Sequence, residues 1–202
     1  MTGFDPEKHH RRSIRLKGYD YTRPGMYFIT ICVADREYLF GHIENGRMIL
    51  NEYGMIAKSE WTKTAIIREY VELLEYVIMP NHIHGVIVLH EHDRRGTVPR
   101  TPTVHRTPTT TGHYPPNIEQ FGKPVSHSIP TIIRGYKSTV TKQINILRNT
   151  PGRPVWQRNY YEHIIRDNRS YRRIARYINN NPLTWKGDRH HHKSGITHSQ
   201  DQ

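Results

Sequence analysis

Cysteine is almost missing from this 202-residue chain, since Cys32 is the only one. A single thiol excludes an internal disulfide, and without cysteine pairs a small zinc protein is a weak interpretation. Long apolar runs and a signal peptide are also missing, so the sequence predicts a soluble cytoplasmic protein without a membrane segment. Acidic residues are scarce as well: 18 Asp and Glu stand against 30 Lys and Arg, a formal net charge of +12.

The excess of positive charge has no value for packing a core. It creates a field that attracts polyanions, most commonly nucleic acid, although a generally basic protein without a specific partner would have the same composition. The 13 tyrosines suit base stacking as well as core filling. Composition therefore favours a nucleic-acid-binding protein, and if its partner is DNA we expect it to be associated with the bacterial nucleoid.

Patterns of apolar residues predict an α+β fold with four core strands. The predicted strands are 26–33, 71–79, 82–89 and one within 154–166, and a hairpin at 40–50 turns around Asn45-Gly46. The predicted helices are 51–68, one from Ser128, and a last one capped by Asn168. The apolar face of the first helix contains Ile56, Ala57, Trp61, Ile66 and Ile67. Strand, helix, strand, strand, helix, strand is the order of a ferredoxin-like split βαβ antiparallel sheet with helices on one face. The hairpin and the C-terminal helix are additions to it.

Composition also divides the chain. Residues 1–18 are predicted to be a flexible basic arm and residues 19–185 a single domain. Within that domain, about 91–128 forms a Pro/Thr-rich insertion predicted to be disordered, where Arg-Thr-Pro-Thr occurs twice. Residues 186–202 are predicted to be a solvated polar tail. The alternative, that His190-His191-His192 in this tail bind a metal, is less favoured.

Two histidines separated by one residue, His82 and His84, follow the Pro80-Asn81 break. On a strand both imidazoles point to the same face, about 6.5–7 Å apart along the strand, and can converge on one divalent cation. The alternative is a pair of ordinary surface histidines.

Two polar residues leave the last helix on the same side. Tyr177 lies off the apolar stripe of that helix, and Asn181 follows one turn later. If this edge faces the two histidines, the metal ligands would be His82, His84 and Asn181, with the Tyr177 phenol beside them. Taken singly, a half-buried tyrosine and a helix stop before Pro182 explain these residues equally well.

The helix from Ser128 has an apolar face that extends to Leu147 and an outer face without acidic residues. This outer face favours contact with phosphates, although a solvated charged face is the ordinary alternative. The basic residues predicted to bind DNA on this helix and on the last helix are Arg134, Lys137, Lys142, Arg172, Arg173 and Arg176.

Four motifs together resemble the REP-associated tyrosine transposases, which belong to the single-tyrosine HUH transposases. They are Met79-Pro80-Asn81-His82-Ile83-His84, residues 129–138, residues 155–163 and Tyr177-Ile178-Asn179-Asn180-Asn181-Pro182. By motif position the resemblance implies that His82 and His84 are metal ligands and Tyr177 is the nucleophile. Asn181 matches the position of the amide ligand, where relatives in insertion sequences more often have glutamine.

The resemblance implies an enzyme that cuts single-stranded or hairpin DNA through a 5′-phosphotyrosine intermediate. One Mg²⁺ or Mn²⁺ ion would serve the site by family analogy, although histidine ligands also suit zinc. The alternative function is a ferredoxin-like module that binds DNA or RNA hairpins without cutting them. The sequence leaves open whether the protein is a monomer or a homodimer, and whether Tyr177 completes its own site or a partner's.

Overall fold

The computed structural model describes residue 16, residues 18–91 and residues 125–191. The predicted arm, most of the predicted insertion and the end of the predicted tail lie outside these residues. In chain order the elements are β1 Gly25–Cys32, β2 Gly41–Glu44, β3 Arg47–Leu50, α1 Glu52–Ile66, β4 Val71–Met79, β5 His82–Leu89, α2 Ile129–Leu147, β6 Tyr161–Ile165 and α3 Asn168–Asn180. No helix within the described residues is both long and apolar enough to cross a membrane.

Four of the strands form one sheet in the order β4-β5-β1-β6. Every neighbouring pair in it is antiparallel, as a ferredoxin-like split βαβ sheet requires. The predicted fold class is confirmed. β2 and β3 form the added hairpin, and its turn residues Asn45 and Gly46 have φ angles of 48° and 72°. Both angles belong to the left-handed region that a two-residue hairpin turn needs.

Alternate residues of β1 and β5 serve two separate cores. Ile29 and Ile83 belong to the main core, which also contains residues of α1 and α2 such as Trp61 and Ile133. On the other face of the sheet, a smaller core joins Phe28 and Val86 to Ile165 and to the α3 residues Ile174 and Ile178. Helix α3 therefore packs on the face opposite α1 and α2. His82 and His84, the two predicted ligands on β5, alternate in step with Val86. They therefore lie on the face of the sheet that α3 covers.

The last core strand is shorter than the sequence predicts. It covers Tyr161–Ile165, whereas Val155 and Trp156 are buried in an irregular segment that touches the end of β1 through a single bridge between Val33 and Trp156. The indole Nε1 of Trp156 donates a hydrogen bond to the Lys137 carbonyl, 3.2 Å away. These side chains are apolar because they fill the main core, and burial alone does not distinguish a strand from a packed loop.

Three other local predictions are wrong at helix ends. Ile66 and Ile67 are 77% and 68% exposed, because α1 ends at Ile66 and the chain turns into β4. Leu147, at the end of α2, is likewise 49% exposed. The cap of α3 is Asp167 rather than Asn168, since the Asp167 carboxylate accepts a hydrogen bond of 2.7 Å from the Ser170 amide. Asp and Asn cap helices equally well, so sequence cannot choose between neighbours.

Candidate metal and nucleophile site

The two histidines of β5 lie side by side beneath α3. His84 and His82 are paired across the sheet with Thr30 and Cys32 of β1, and their ring centroids are 4.5 Å apart. Both side chains are fully buried. The predicted orientation of the pair toward one face is therefore present in the structure.

The hydrogen bonds around His82 define its tautomer. Asn81 Nδ2 donates to the carbonyls of Arg36 and His190, so its Oδ1 must face the Nδ1 of His82, 2.8 Å away. Because an amide oxygen only accepts, His82 carries its proton on Nδ1. The remaining lone pair is on Nε2, which is buried and has no hydrogen-bond partner among the described residues.

His84 connects β1 to α3. Its Nδ1 lies 2.8 Å from Thr30 Oγ1, and its Nε2 lies 3.1 Å from the Tyr177 hydroxyl. The sequence left open whether Tyr177 reaches a site in its own chain. In the structure it does, and the ring of Tyr177 also packs edge-on against Phe28, with centroids 6.3 Å apart.

Asn181 completes the group from the turn after α3. Its side chain is fully buried, and its Oδ1 has no hydrogen-bond partner in the described part of the chain. Its Nδ2 donates to Asp188 Oδ2 over 2.9 Å, and the same oxygen lies 3.3 Å from the Tyr177 hydroxyl. The ligand atoms of His82, His84 and Asp188 all lie within 4.8 Å of one another.

The donor set fits one divalent cation. Two buried acceptor atoms, His82 Nε2 and Asn181 Oδ1, have no hydrogen-bond partner among the described residues. Such atoms are costly to bury, and a bound cation would satisfy both. Imidazole nitrogens combined with amide and carboxylate oxygens suit Mn²⁺, and the oxygens also suit Mg²⁺.

The protonation states agree with metal binding. Burial, together with the nearby His190, lowers the pKa of His82 to about 3, and burial and His82 hold the pKa of His84 well below its usual value. Both imidazoles are therefore neutral at neutral pH, which is the form that ligates metals. Burial and then the Asp188 carboxylate raise the pKa of Tyr177 to about 12, so its phenol keeps its proton.

The segment after α3, predicted to be a solvated tail from residue 186, belongs to this site. His190 is only 8% exposed, and its ring lies 4.5 Å from that of His82 and 5.7 Å from that of His84. Trp185, the last residue of the predicted domain, is buried against His82. Sequence reasoning missed Asp188 and His190 because neither lies in an element with apolar periodicity, and the residues around them are polar.

The predicted DNA-binding residues fall on both faces of the sheet. Arg172, Arg173 and Arg176 are exposed on α3 near Tyr177, while Arg134 and Lys142 are exposed on α2, across the sheet. The Nζ of Lys137, also on α2, donates to the carbonyls of Gln157 and Arg158 over 2.6 and 3.1 Å. Burial lowers the pKa of Lys137 to about 8. This lysine joins α2 to the segment before β6 instead of projecting into solvent.

Comparison with known proteins places the fold. A solved structure described as a REP-associated tyrosine transposase bound to a REP hairpin superposes with a TM-score of 0.52 at 18% identity, covering 85% of this chain and 73% of that one. A Haemophilus influenzae protein whose name assigns it to the REP-associated tyrosine transposases is 26% identical over 81% of this chain and 73% of its own length. The chain thus has the fold of these transposases, and the predicted resemblance is confirmed.

A second protein from H. influenzae, of uncharacterized function, is more similar. It is 42% identical over 93% of this chain and 96% of its own length. The chain belongs to the same family as that protein. No family model matches the sequence.

Proposed function

We propose that this protein is a metal-dependent DNA strand transferase that cuts hairpin-associated single-stranded DNA and holds the cut end on Tyr177. One observation carries the proposal: the Tyr177 hydroxyl lies 3.1 Å from His84 Nε2. The same group contains two potential metal-ligand atoms, His82 Nε2 and Asn181 Oδ1, that have no hydrogen-bond partner among the described residues. A nucleophile beside a candidate metal site is the arrangement that phosphoryl transfer needs.

Tyr177 would attack the phosphorus of a DNA phosphodiester. The phenol oxygen forms a bond to phosphorus, the bond from phosphorus to the 3′ oxygen breaks, and the products are a 5′-phosphotyrosine and a 3′-hydroxyl. The phenol loses one proton and the departing oxygen gains one, so there is no net proton change. Because a phosphodiester is exchanged for another of similar energy, a 3′-hydroxyl can later reverse the step without ATP.

The residues around Tyr177 position this chemistry. His82, His84 and Asn181 would hold one divalent ion, which when bound offsets charge on the phosphate. Thr30, by accepting from His84 Nδ1, would keep the Nε2 lone pair of that imidazole directed into the site. The edge-on contact with Phe28 would hold the Tyr177 ring in place, so that its hydroxyl stays beside the histidines.

Basic residues on α3 support a route for the DNA. Arg169 and Arg173 precede Tyr177 by eight and four positions, so they follow one another along the same side of the helix. Together with Arg166 they line a cleft of about 760 Å³ between the start of α3 and β6. Glu162 and Asp167 also line it, and the Asp167 carboxylate already caps α3. We propose that phosphates of the scissile strand run along this side of α3, and that α2 contacts only more distant parts of the DNA.

The decisive experiment incubates the protein with hairpin-bearing single-stranded DNA and Mn²⁺, followed by a denaturing gel. A covalent protein–DNA adduct that disappears in Tyr177→Phe is the expected result. Tight hairpin binding without an adduct, in the presence of Mn²⁺, would instead favour the non-cleaving hairpin-binding module.

A further inference from the structure

Asp188 is a partly buried carboxylate beside the buried imidazoles of His82 and His84. Its Oδ1 accepts a hydrogen bond of 2.6 Å from the His190 amide, and its Oδ2 accepts from Asn181 Nδ2 and faces the Tyr177 hydroxyl. It approaches both histidines as closely as a common cation would require. Neither the sequence motifs nor the transposase resemblance assigns it a role.

The Asn181 amide is oriented by Asp188. A carboxylate only accepts hydrogen bonds, so the amide must present Nδ2 to Asp188 and turn Oδ1 away from it. That oxygen is one of the two unpartnered buried acceptors of the site. The hydrogen bond to Asp188 thus distinguishes the oxygen of this amide from its nitrogen.

The negative charge of the Asp188 carboxylate is a second reason to expect it to bind the cation. An imidazole binds a metal in its neutral form, and an amide carries no charge, so His82, His84 and Asn181 offer a divalent cation no compensating charge. Mg²⁺ and Mn²⁺ are hard ions that favour carboxylate oxygen. Burial of such an ion among neutral groups alone would be costly.

The position of Asp188 is held by the packing of its neighbours. Trp185 and His190 are buried on either side of it, and the His190 carbonyl accepts a hydrogen bond of 2.8 Å from the buried Asn81. Arg36 donates to the carbonyl of Arg189 on the outer side. The segment from Trp185 to His190 is therefore a built part of the site.

We propose that Asp188 is a ligand of the divalent ion, supplying the negative charge that His82, His84 and Asn181 lack while orienting Asn181. This inference rests on the proposed function, because it assumes that His82, His84 and Asn181 hold that ion. It also extends the catalytic unit from residue 185 to at least His190.

The test is the affinity of the full-length protein for Mn²⁺, measured by isothermal titration calorimetry without DNA. Asp188→Asn keeps an acceptor for the His190 amide but removes the charge, and Asp188→Ala removes both. We expect each to weaken Mn²⁺ binding at least about tenfold. Glu69→Gln, an equal loss of charge at an exposed position between α1 and β4, should bind like wild type. Circular dichroism verifies that each variant is folded.

The outcomes separate the inference from the proposed function. If folded Asp188→Asn binds Mn²⁺ like wild type while His82→Ala loses binding, the metal site stands and Asp188 is not its ligand. Weakening in Asp188→Ala alone would also overturn the inference, since the charge would then be dispensable. If wild type binds no Mn²⁺, or binds it equally well after His82→Ala, both proposals fail.

Discussion

The hydroxyl of Tyr177 lies 3.1 Å from Nε2 of His84, although 93 positions separate the two residues in the chain. Helix α3 creates this contact by packing Ile174 and Ile178 on the sheet face that carries His84. The contact forms within one chain, and we propose that cleavage needs no helix exchanged with a partner. Each proposed role can be tested separately.

Tyr177→Phe should abolish the covalent adduct and leave hairpin binding and stability nearly unchanged. The side chain is 36% exposed, and the change removes only a hydroxyl. Tyr161→Phe is the matched control, because Tyr161 also packs edge-on against Phe28 with centroids 6.3 Å apart. An adduct that persists in Tyr177→Phe but is lost in Tyr161→Phe would identify Tyr161 as the nucleophile.

Thr30→Val should weaken Mn²⁺ binding about 10- to 100-fold, because it removes the hydroxyl 2.8 Å from His84 Nδ1. Valine has nearly the shape of threonine and favours strands, so the fold should persist. Thr30→Ser keeps the hydroxyl and should restore most of the affinity. Equal Mn²⁺ titrations for the valine and serine variants would show that Thr30 does not orient His84.

Mn²⁺ should stabilise the wild-type protein against thermal unfolding, since a ligand that binds only the folded state adds free energy by linkage. At a concentration 100 times Kd the gain is about 2.7 kcal/mol. His82→Ala should lose this gain, whereas His42→Ala, at an exposed hairpin position, should keep it. Differential scanning fluorimetry with and without the metal measures both. An equal metal-induced shift in His82→Ala would place the ion elsewhere.

Lys137→Met should destabilise the protein by about 1.5–3 kcal/mol in urea unfolding. The substitution removes charged hydrogen bonds to the carbonyls of Gln157 and Arg158, and the partly buried Gln157 carbonyl loses this donor. Lys142→Met, an exposed lysine on the same helix, should change stability by less than about 0.5 kcal/mol. Unchanged stability in Lys137→Met, together with weaker and less salt-dependent DNA binding, would show that Lys137 contacts DNA instead of stabilising the fold.

Arg173→Ala should weaken binding of single-stranded DNA and lower the slope of log affinity against log salt by about one. Its guanidinium lies one turn before Tyr177 on the exposed side of α3. Lys58→Ala, on α1 across the sheet, should leave both quantities unchanged. Fluorescence anisotropy over a range of salt concentrations gives the slope. A larger effect of Lys142→Ala than of Arg173→Ala would mean that α2 holds the strand.

Much of the architecture could be predicted from the sequence because it depends on local patterns. Alternation places His82 and His84 on one face of β5, and Asn45-Gly46 specifies the hairpin. Helical spacing sets Tyr177 apart from the apolar stripe that contains Ile174 and Ile178. These are relations between residues a few positions apart, which backbone geometry alone imposes.

The tertiary structure decided everything that depends on which segments meet. Val155 and Trp156 have strand-like composition but fill the core as an irregular segment, and Lys137 is drawn from an outer helix face to two carbonyls. Above all, Asp188 lies in a polar stretch without periodicity, and only the burial of Trp185 and His190 brings its carboxylate to Asn181 and Tyr177. Sequence determined which histidines share a face, because strand geometry is local. Long-range packing determined the residues that complete the site around them.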